Sequence, residues 1–218
     1  MSVRHAMLLA AGRGERMRPL TDGIPKPLLL ARGKPLIVHH LERLARAGVR
    51  EVVVNLSWLG EQIRTALGDG GRFGLSIRYS EEGAQALETG GGILRALPWL
   101  APGPFLVVNA DVFTDFDFST LAIAPGAWAQ LLLVPNPPQH PAGDFGFDGS
   151  HVTEAAGPRW TYSGIGLYTA ELFDGCEPGR FPLKPLLQRA IAAGALRGQI
   201  YRGEWNDVGT VARLQSLQ

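Results

Sequence analysis

The chain has one cysteine, Cys176, among its 218 residues, which excludes an internal disulfide and a cysteine-rich metal site. The formal net charge is only +1, so no broad basic field indicates a nucleic-acid partner. No apolar run approaches the roughly 20 residues that cross a bilayer, and the N-terminal residues lack the pattern of a signal peptide. The histidines show no metal-ligand spacing, and we expect structural roles for His39, His40, His140 and His151. We therefore expect a cytoplasmic protein without membrane or nucleic-acid partners, and its oligomeric state stays open.

Hydrophobic residues make up 45% of the chain, which is ample for a continuous core. In the first half, short apolar runs alternate with helical patterns, a rhythm typical of right-handed crossovers and a mainly parallel sheet. The second half is less regular and includes shorter, partly antiparallel strands. The sequence therefore predicts an α/β fold. The predicted strands are 7–11, 51–55, 75–80, 104–109, 128–134, 145–147, 151–154, 160–168 and 196–201, and the predicted helices are 35–47, 59–67, 91–97, 183–193 and 211–217.

A glycine- and arginine-rich loop follows the first predicted strand. Gly12 and Gly14 can take backbone angles closed to other residues and allow main-chain N–H groups to approach an anion. Arg16 supplies positive charge, and Lys26 follows between two prolines. The order of strand, anion-binding loop and stiffened lysine predicts a triphosphate site.

Two other kinds of phosphate loop do not fit this stretch. A Walker loop ends in Gly-Lys-Ser/Thr and leads into a helix, and a dinucleotide-binding loop needs a third glycine where this chain has Met17. Three prolines, Pro19, Pro25 and Pro27, exclude a regular helix directly after the loop. A plain arginine-rich surface turn is the alternative, and the strand-end position disfavours it, because open α/β sheets bind ligands there.

Further motifs follow in order along the chain. They are Gly12-x-Gly14-x-Arg16-x-x-Pro19-Leu20-Thr21, Pro25-Lys26-Pro27, Leu87-Glu88-Thr89-Gly90-Gly91-Gly92, Val107-Val108-Asn109-Ala110-Asp111, Ser163-Gly164-Ile165 and Trp205-Asn206-Asp207-Val208-Gly209-Thr210. In these motifs the chain resembles the sugar-1-phosphate nucleotidyltransferases, and most of all their short members that use UTP and N-acetylmuramic acid α-1-phosphate. The resemblance implies a Rossmann-like three-layer α/β/α fold with a mixed, mainly parallel sheet. It also implies one nucleotidyltransferase domain over 1–218, with a nucleotide-binding half (1–113) and a sugar-phosphate-binding half (114–218).

The resemblance implies formation of UDP-N-acetylmuramic acid and pyrophosphate, a step of cell-wall recycling. The acceptor phosphate is already anionic near neutral pH, so no general base is required and catalysis depends on alignment and charge stabilisation. Arg16 would bind the departing phosphates, and Lys26 would lie between the acceptor phosphate and the α-phosphate. Asp111 follows an apolar strand and Asp207 lies far downstream. Two such carboxylates suit Mg²⁺, and the resemblance assigns both to the metal; a helix-capping role is the alternative for Asp207.

Contacts to the nucleotide are expected from ten residues: Ala11, Gly12, Gly14, Glu15, Arg16, Lys26, Glu82, Thr89, Gly90 and Asn109. Glu82 could accept the N3–H of uracil or be a solvated charge. The glycines of 90–92 would let the base and ribose lie against bare backbone at a helix start. Asn109 and Asp144 could bind the sugar or stabilise turns.

Other substrates and functions stay open. Mannose 1-phosphate with GTP, or glucose 1-phosphate with dTTP or UTP, would use the same chemistry. Many relatives have glycine where this chain has Glu88, a departure that resembles the muramyl-specific members and disfavours guanine and thymine nucleotides. A nucleotide-sugar sensor without turnover is another class, although such proteins would be expected to lose Arg16, Lys26 or an aspartate. An NAD-linked oxidoreductase is disfavoured by Met17 and by the prolines.

Overall fold

The computed structural model describes residues 3–83, 85–154 and 157–218. None of the helices in these ranges is long and apolar enough to cross a membrane. The helices are α1 (Leu20–Gly23), α2 (Leu36–Arg46), α3 (Gly60–Leu67), α4 (Glu88–Leu100), α5 (Lys184–Ala192) and α6 (Val211–Gln215). The strands are β1 (His5–Leu9), β2 (Leu30–Ala31), β3 (Lys34–Pro35), β4 (Glu51–Leu56), β5 (Ser76–Glu81), β6 (Phe105–Asn109), β7 (Val112–Thr114), β8 (Ala129–Val134), β9 (Phe145–Phe147), β10 (Val152–Thr153), β11 (Arg159–Tyr168), β12 (Leu196–Ile200) and β13 (Trp205–Asp207).

A mixed sheet forms the centre of the molecule and contains nine strands in the described part of the chain. Its middle is parallel, in the order β6-β1-β4-β5. Antiparallel β11 follows on the outer side of β6. Strands from both halves of the chain thus share one sheet, and the predicted α/β class with a mixed, mainly parallel sheet is confirmed.

Helices cover both faces of this sheet because its central strands are apolar on both sides. On β1, Ala6 and Leu8 pack into a core that includes Ile37 and Leu41 of α2 and Ile63 of α3. The residue between them, Met7, points to the opposite core, which α4 and α5 complete. Near-continuous apolar strands are what burial on two faces requires, and the result is the expected three-layer arrangement.

The chain changes direction between β1 and β6. From β1 it proceeds outward through α2, β4, α3 and β5, and α4 then returns it to β6 on the other side of β1. The carboxyl ends of these strands lie side by side, with Leu9 opposite both Asn55 and Asn109. Such a switch point leaves a crevice between the flanking loops, where open α/β sheets bind their ligands.

Several predicted element bounds differ from the structure for local reasons. Strand β1 ends at Leu9 instead of Ala11, since the Ala10 N–H donates to the side-chain Oδ1 of Asn55 at 2.7 Å rather than to a neighbouring strand. Helix α4 begins three residues before, and ends three residues after, the predicted 91–97. After the glycine-rich loop only the single turn of α1 forms, between Pro19 and Pro25. The pairs β2–β3 and β7–β13 were not predicted, because these short segments carry no periodicity of their own.

Candidate active site

Two adjoining cavities open at the carboxyl edge of the central strands. The first has a volume of about 400 Å³ and the second about 290 Å³. Arg16, Asn109 and Asp111 line both cavities. Ten of the sequence-predicted residues line the first cavity: Ala11, Gly12, Gly14, Glu15, Arg16, Lys26, Glu82, Thr89, Asn109 and Asp111. Asp207 lines the second cavity. Gly90 and Asp144 line neither.

The loop after β1 packs its glycine against the lysine that follows. Gly14 has a left-handed φ of 71°, and a Cβ there would lie 3.1 Å from both Lys26 Cδ and Thr21 Cγ2. Thr21 Oγ1 donates to the Gly14 carbonyl oxygen at 3.0 Å, which fixes the turn. Gly12 does not have a left-handed φ, but the position of its missing Cβ is open space. The two glycines therefore serve different purposes: Gly14 lets Lys26 pack closely, and Gly12 leaves room at the cavity wall.

The arginines of this loop divide into paired and unpaired side chains. Arg13 and Arg18 both form ion pairs with Asp22, at 3.3 and 2.9 Å. Arg16 forms no ion pair with any residue that the structure describes. Its guanidinium lies over Gly209, where a Cβ would come within 2.9 Å of an Arg16 Nη2. The interpretation as a plain surface turn thus fits Arg13 and Arg18, whereas Arg16 presents free positive charge to both cavities.

Lys26 is buried, with only 7% of its surface exposed. It begins a short 3₁₀ turn directly after Pro25, and its Nζ donates to Asp111 Oδ2 at 2.5 Å. This contact is a charge-assisted hydrogen bond, and both side chains face the first cavity. The pair joins the glycine-rich loop to the end of β6.

Asp207 lies beside Asp111 because of the small β7–β13 ladder. Strand β13 pairs antiparallel with β7, which places Asp207 opposite Val112. The Asp207 carboxylate accepts a hydrogen bond from Arg213 Nη1 at 3.0 Å. The cap of α6 is Thr210, whose side chain accepts the N–H of Arg213 at 3.3 Å. The helix-capping alternative for Asp207 is therefore wrong.

Asp111 and Asp207 together form a donor set that suits a hard cation. Each carboxylate engages a basic side chain through Oδ2 and faces the second cavity. Within the described ranges, no group of three or more His, Cys, Asp or Glu residues could hold a metal by itself. Two carboxylates fit Mg²⁺, which is commonly held by one or two carboxylates and completes its shell with phosphate oxygens and water.

At the far end of the first cavity, Glu82 is buried with 9% of its surface exposed. Its Oε1 accepts the Asn55 Nδ2–H at 2.7 Å, and its Oε2 accepts the Leu87 N–H at 2.7 Å. Asn55 in turn accepts the Ala10 N–H. The solvated-charge alternative for Glu82 is thus wrong: its carboxylate ties the ends of β1 and β4 to the start of α4.

The glycines at 90–92 pack against protein and do not form a bare platform. A Cβ at Gly90 would lie 2.5 Å from the Phe181 ring, one at Gly91 2.1 Å from the Gly179 carbonyl oxygen, and one at Gly92 2.5 Å from Glu82 Oε1. The prediction that they leave backbone open to a base is wrong. Their lack of side chains instead allows segment 179–181 and Glu82 to pack against α4.

Glu88, which begins α4, has a left-handed φ of 59°. Few residues other than glycine adopt this region without strain, which gives a physical reason for the glycine that many relatives have here. The Glu88 carboxylate pairs with Arg180 at 2.9 Å, and the residue lines the first cavity. A charged side chain therefore borders the cavity at the start of α4.

A bulge in β11 forms the boundary between the two cavities. The register of β11 against β8 shifts between Tyr162 and Gly166. Within this bulge Gly164 has a φ of 77°, and a Cβ there would lie 2.6 Å from Asn109 Nδ2. Trp205 Nε1 donates to the Ser163 carbonyl oxygen at 2.9 Å and holds the bulge from the side of β13. The Ser-Gly-Ile motif thus positions Asn109 at the junction of the cavities. Bulges beside binding sites commonly redirect a side chain in this way.

Asp144 acts as a turn-stabilising residue. Its Oδ1 lies 3.1 Å from His140 Nε2, and its Oδ2 accepts the Tyr162 N–H at 2.8 Å. His140 and Tyr162 line the second cavity, together with Gln139. The sequence indicates only a structural role for His140, and no motif in it singles out Tyr162 or Gln139. The i,i+4 spacing of His140 and Asp144 is the signal that could have pointed to this wall.

Known proteins are similar to this chain in sequence and in fold. The nucleotidyl transferase family model matches residues 5–148. An N-acetylmuramate alpha-1-phosphate uridylyltransferase of Neisseria meningitidis is 51% identical, over 98% of this chain and 96% of its own length. A protein of the same description from Caulobacter vibrioides is 36% identical over 94% of this chain and 91% of its length. HddC from Yersinia pseudotuberculosis has the same fold, with a TM-score of 0.79 at 21% identity over 98% of this chain and 97% of that chain. The chain therefore belongs to the nucleotidyl transferase family, among its sugar-1-phosphate nucleotidyltransferases.

Proposed function

We propose that this protein transfers a uridylyl group from UTP to N-acetylmuramic acid α-1-phosphate, a step of cell-wall recycling, and releases pyrophosphate. The observation that carries the proposal is the convergence of Arg16, Lys26 and Asp111 at the junction of two cavities. The first cavity would hold the nucleotide. The second cavity, which is lined largely by residues beyond 113, would hold the acceptor. The two muramate-specific relatives, which align over nearly the whole chain, support this choice of substrates. The free thiol of Cys176 suits a reducing compartment, and we place the reaction in the cytoplasm.

In this reaction an oxygen of the sugar phosphate forms a bond to the α-phosphorus of UTP. The bond from that phosphorus to the β-phosphate breaks, and pyrophosphate leaves with its electron pair. The incoming group is an anion, so the residues of this chain have to offset repulsion between phosphates rather than remove a proton. The buried ammonium of Lys26 serves this purpose between the acceptor phosphate and the α-phosphate. Arg16, which has no competing carboxylate among the described residues, binds the departing β- and γ-phosphates.

Asp111 and Asp207 would hold Mg²⁺. When bound, the ion neutralises phosphate charge and makes the α-phosphorus a better electrophile. The pairing of Asp111 with Lys26 and of Asp207 with Arg213 keeps both carboxylates oriented toward the junction.

The uridine would occupy the end of the first cavity that Glu82 and Thr89 line. The Glu82 carboxylate has lone pairs beyond the two hydrogen bonds that it accepts from Asn55 and Leu87, and we assign it to the N3–H of uracil. A cytosine has no N3–H to donate, so this contact favours uracil. Asn109, held by the β11 bulge, would contact the hydroxyl groups of the ribose or the sugar.

A substrate panel tests the proposal. Muramyl, N-acetylglucosaminyl, mannosyl and glucosyl 1-phosphates are each combined with UTP, GTP, dTTP and CTP in the presence of Mg²⁺, and pyrophosphate release is measured. UTP with the muramyl phosphate should give the highest kcat/KM. A faster pair, such as mannose 1-phosphate with GTP, would overturn the choice of substrates, and no release with any pair would overturn the enzymatic proposal.

Matched variants test the assigned charges. Lys26→Met and Arg16→Met should each lower kcat by about a hundredfold, because losing one preorganised charge costs on the order of 3 kcal/mol in the barrier. The controls are Lys34→Met, whose ammonium pairs with Glu42 at 2.7 Å outside both cavities, and Arg18→Met in the same loop. Both controls should keep wild-type rates. Equal losses in controls and test variants would contradict the roles of Arg16 and Lys26.

A further inference from the structure

The wall of the second cavity carries one basic side chain that the proposed reaction does not use. Within the described ranges, only Arg16 and His140 bring a basic side chain to this wall, whereas Asp111 and Asp207 bring two carboxylates. Arg16 also borders the first cavity and is committed to phosphate. His140 is therefore the basic group left for the acceptor.

The acceptor of the proposed reaction differs from N-acetylglucosamine 1-phosphate by one charged group. Muramic acid carries a lactyl ether that ends in a carboxylate, at a distance from the phosphate on the same sugar. In a cavity that Asp111 and Asp207 already line, a further carboxylate needs a hydrogen-bond partner of its own. A wall without such a partner would disfavour the muramyl sugar.

The turn that carries His140 is firmly held. Asn136 Nδ2 donates to the carbonyl oxygens of Pro141 and Arg159 at 3.1 and 3.0 Å, and its Oδ1 accepts the Thr161 hydroxyl at 2.9 Å. The His140 N–H donates to the Pro137 carbonyl oxygen at 2.8 Å. The imidazole thus projects from a turn whose backbone is fixed at several points, and ordering it on binding costs little.

The contact of the ring with Asp144 decides which nitrogen a ligand meets. His140 Nε2 lies 3.1 Å from Asp144 Oδ1, so Nδ1 is the nitrogen left for the cavity. Other charged groups near this site are Arg159, whose guanidinium donates to the Asp144 carbonyl oxygen, and Arg16, Asp111 and Asp207 on the cavity wall.

We infer that His140, positioned by Asp144, binds the lactyl carboxylate of the muramyl acceptor in the second cavity and selects this sugar over N-acetylglucosamine 1-phosphate. The inference rests on the proposed function, because it presupposes that the second cavity holds the acceptor. Asp144 is a positioning residue in this arrangement, since its carboxylate orients the ring without lining the cavity.

The experiment measures kcat/KM with UTP for the muramyl and N-acetylglucosaminyl 1-phosphates in the wild type, His140→Asn and His140→Lys. A charge-assisted hydrogen bond lost in His140→Asn should lower kcat/KM for the muramyl phosphate about ten- to a hundredfold, mainly through KM. The value for the N-acetylglucosaminyl phosphate should change far less, which also shows that the variant is folded. His140→Lys places a fixed cation at the same position and should recover most of the muramyl preference.

His151→Asn is the matched control. His151 has the same side-chain exposure as His140, 41%, and lies 3.5 Å from an aspartate, Asp148, but it lines neither cavity. Its substitution should leave the preference between the two sugars unchanged. An unaltered preference in His140→Asn, or an equal loss for both sugars, would overturn the inference while the wild-type reaction stands. A wild type that does not use the muramyl phosphate would instead overturn the proposed function itself.

Discussion

Replacing Gly91 by alanine tests how the start of α4 holds segment 179–181. The new Cβ would lie 2.1 Å from the Gly179 carbonyl oxygen, whereas Cβ atoms in real structures essentially never come closer than 3.0 Å. Segment 179–181 would have to move by about 1 Å, and overpacking of this kind costs about 1–3 kcal/mol. The movement also strains the hydrogen bonds from Gly91 N to Phe181 O (3.1 Å) and from Phe181 N to Leu87 O (3.2 Å), at about 1 kcal/mol each.

Alanine has a better helix propensity than glycine, which offsets about 1 kcal/mol of this destabilisation. The net loss should therefore be about 2–4 kcal/mol, which for a chain of this size lowers Tm by roughly 5–15 °C. Thermal unfolding followed by circular dichroism measures this loss. Gly103→Ala is the control, since its Cβ would meet nothing within 4 Å, and its Tm should stay within a degree or two of the wild type. If the two variants melt together, the tight packing at Gly91 does not stabilise the fold and the reasoning is refuted.

Two further predictions concern buried charge. Asp111→Asn should destabilise the protein by about 2 kcal/mol or more, because it leaves an ammonium unpaired in a nearly buried position. Lys26→Met should cost clearly less, since the Lys26 side chain is 9% exposed and that of Asp111 33%, so water can solvate the remaining carboxylate. Urea unfolding at pH 7 compares the two variants, and equal losses would contradict this asymmetry. Burial lowers the pKa of His40 from 6.5 to about 4, so between these values the unfolded chain binds a proton that the folded chain does not. Stability is full above pH 6.5 and falls by roughly 3 kcal/mol as the pH approaches 4. His40→Gln keeps a donor for the Val112 carbonyl oxygen and should flatten this part of the urea-unfolding profile; an unchanged pH dependence would argue against His40 as its source.

The regular elements were predictable because each has a strong pattern of its own. Helix α2 buries Leu36, Ile37, Leu41 and Leu44 along one face, and its observed ends lie within one residue of the predicted 35–47. The central strands are apolar runs, and residues typical of turns flank each run on both sides. The β7–β13 ladder has no such pattern, because it joins two segments of three residues about 90 positions apart. The proximity of Asp111 and Asp207 therefore could not be read from periodicity and came only from the family resemblance.

Residue types at the site were easier to predict than the directions in which the residues point. The sequence correctly indicates that glycines at 90–92 are needed, but a glycine that gives room to a ligand and one that gives room to a neighbouring segment look the same in a sequence. The same holds for Asp144, where a turn residue and a ligand contact share one residue type. His140 was expected to be structural for a different reason: its i,i+4 spacing hints at the pair with Asp144, but the cavity that it lines is visible only in the three-dimensional arrangement.

The common border formed by Arg16, Asn109 and Asp111 has a consequence for inhibitor design. Under the proposed function, a compound that joins a uridine to an acidic sugar through a non-hydrolysable diphosphate mimic would reach both cavities at once. Once either end is anchored, the tether delivers the other end at a high local concentration. Such a bivalent compound would bind more tightly than either of its halves alone without any new contact, provided that its linker spans the junction of the two cavities.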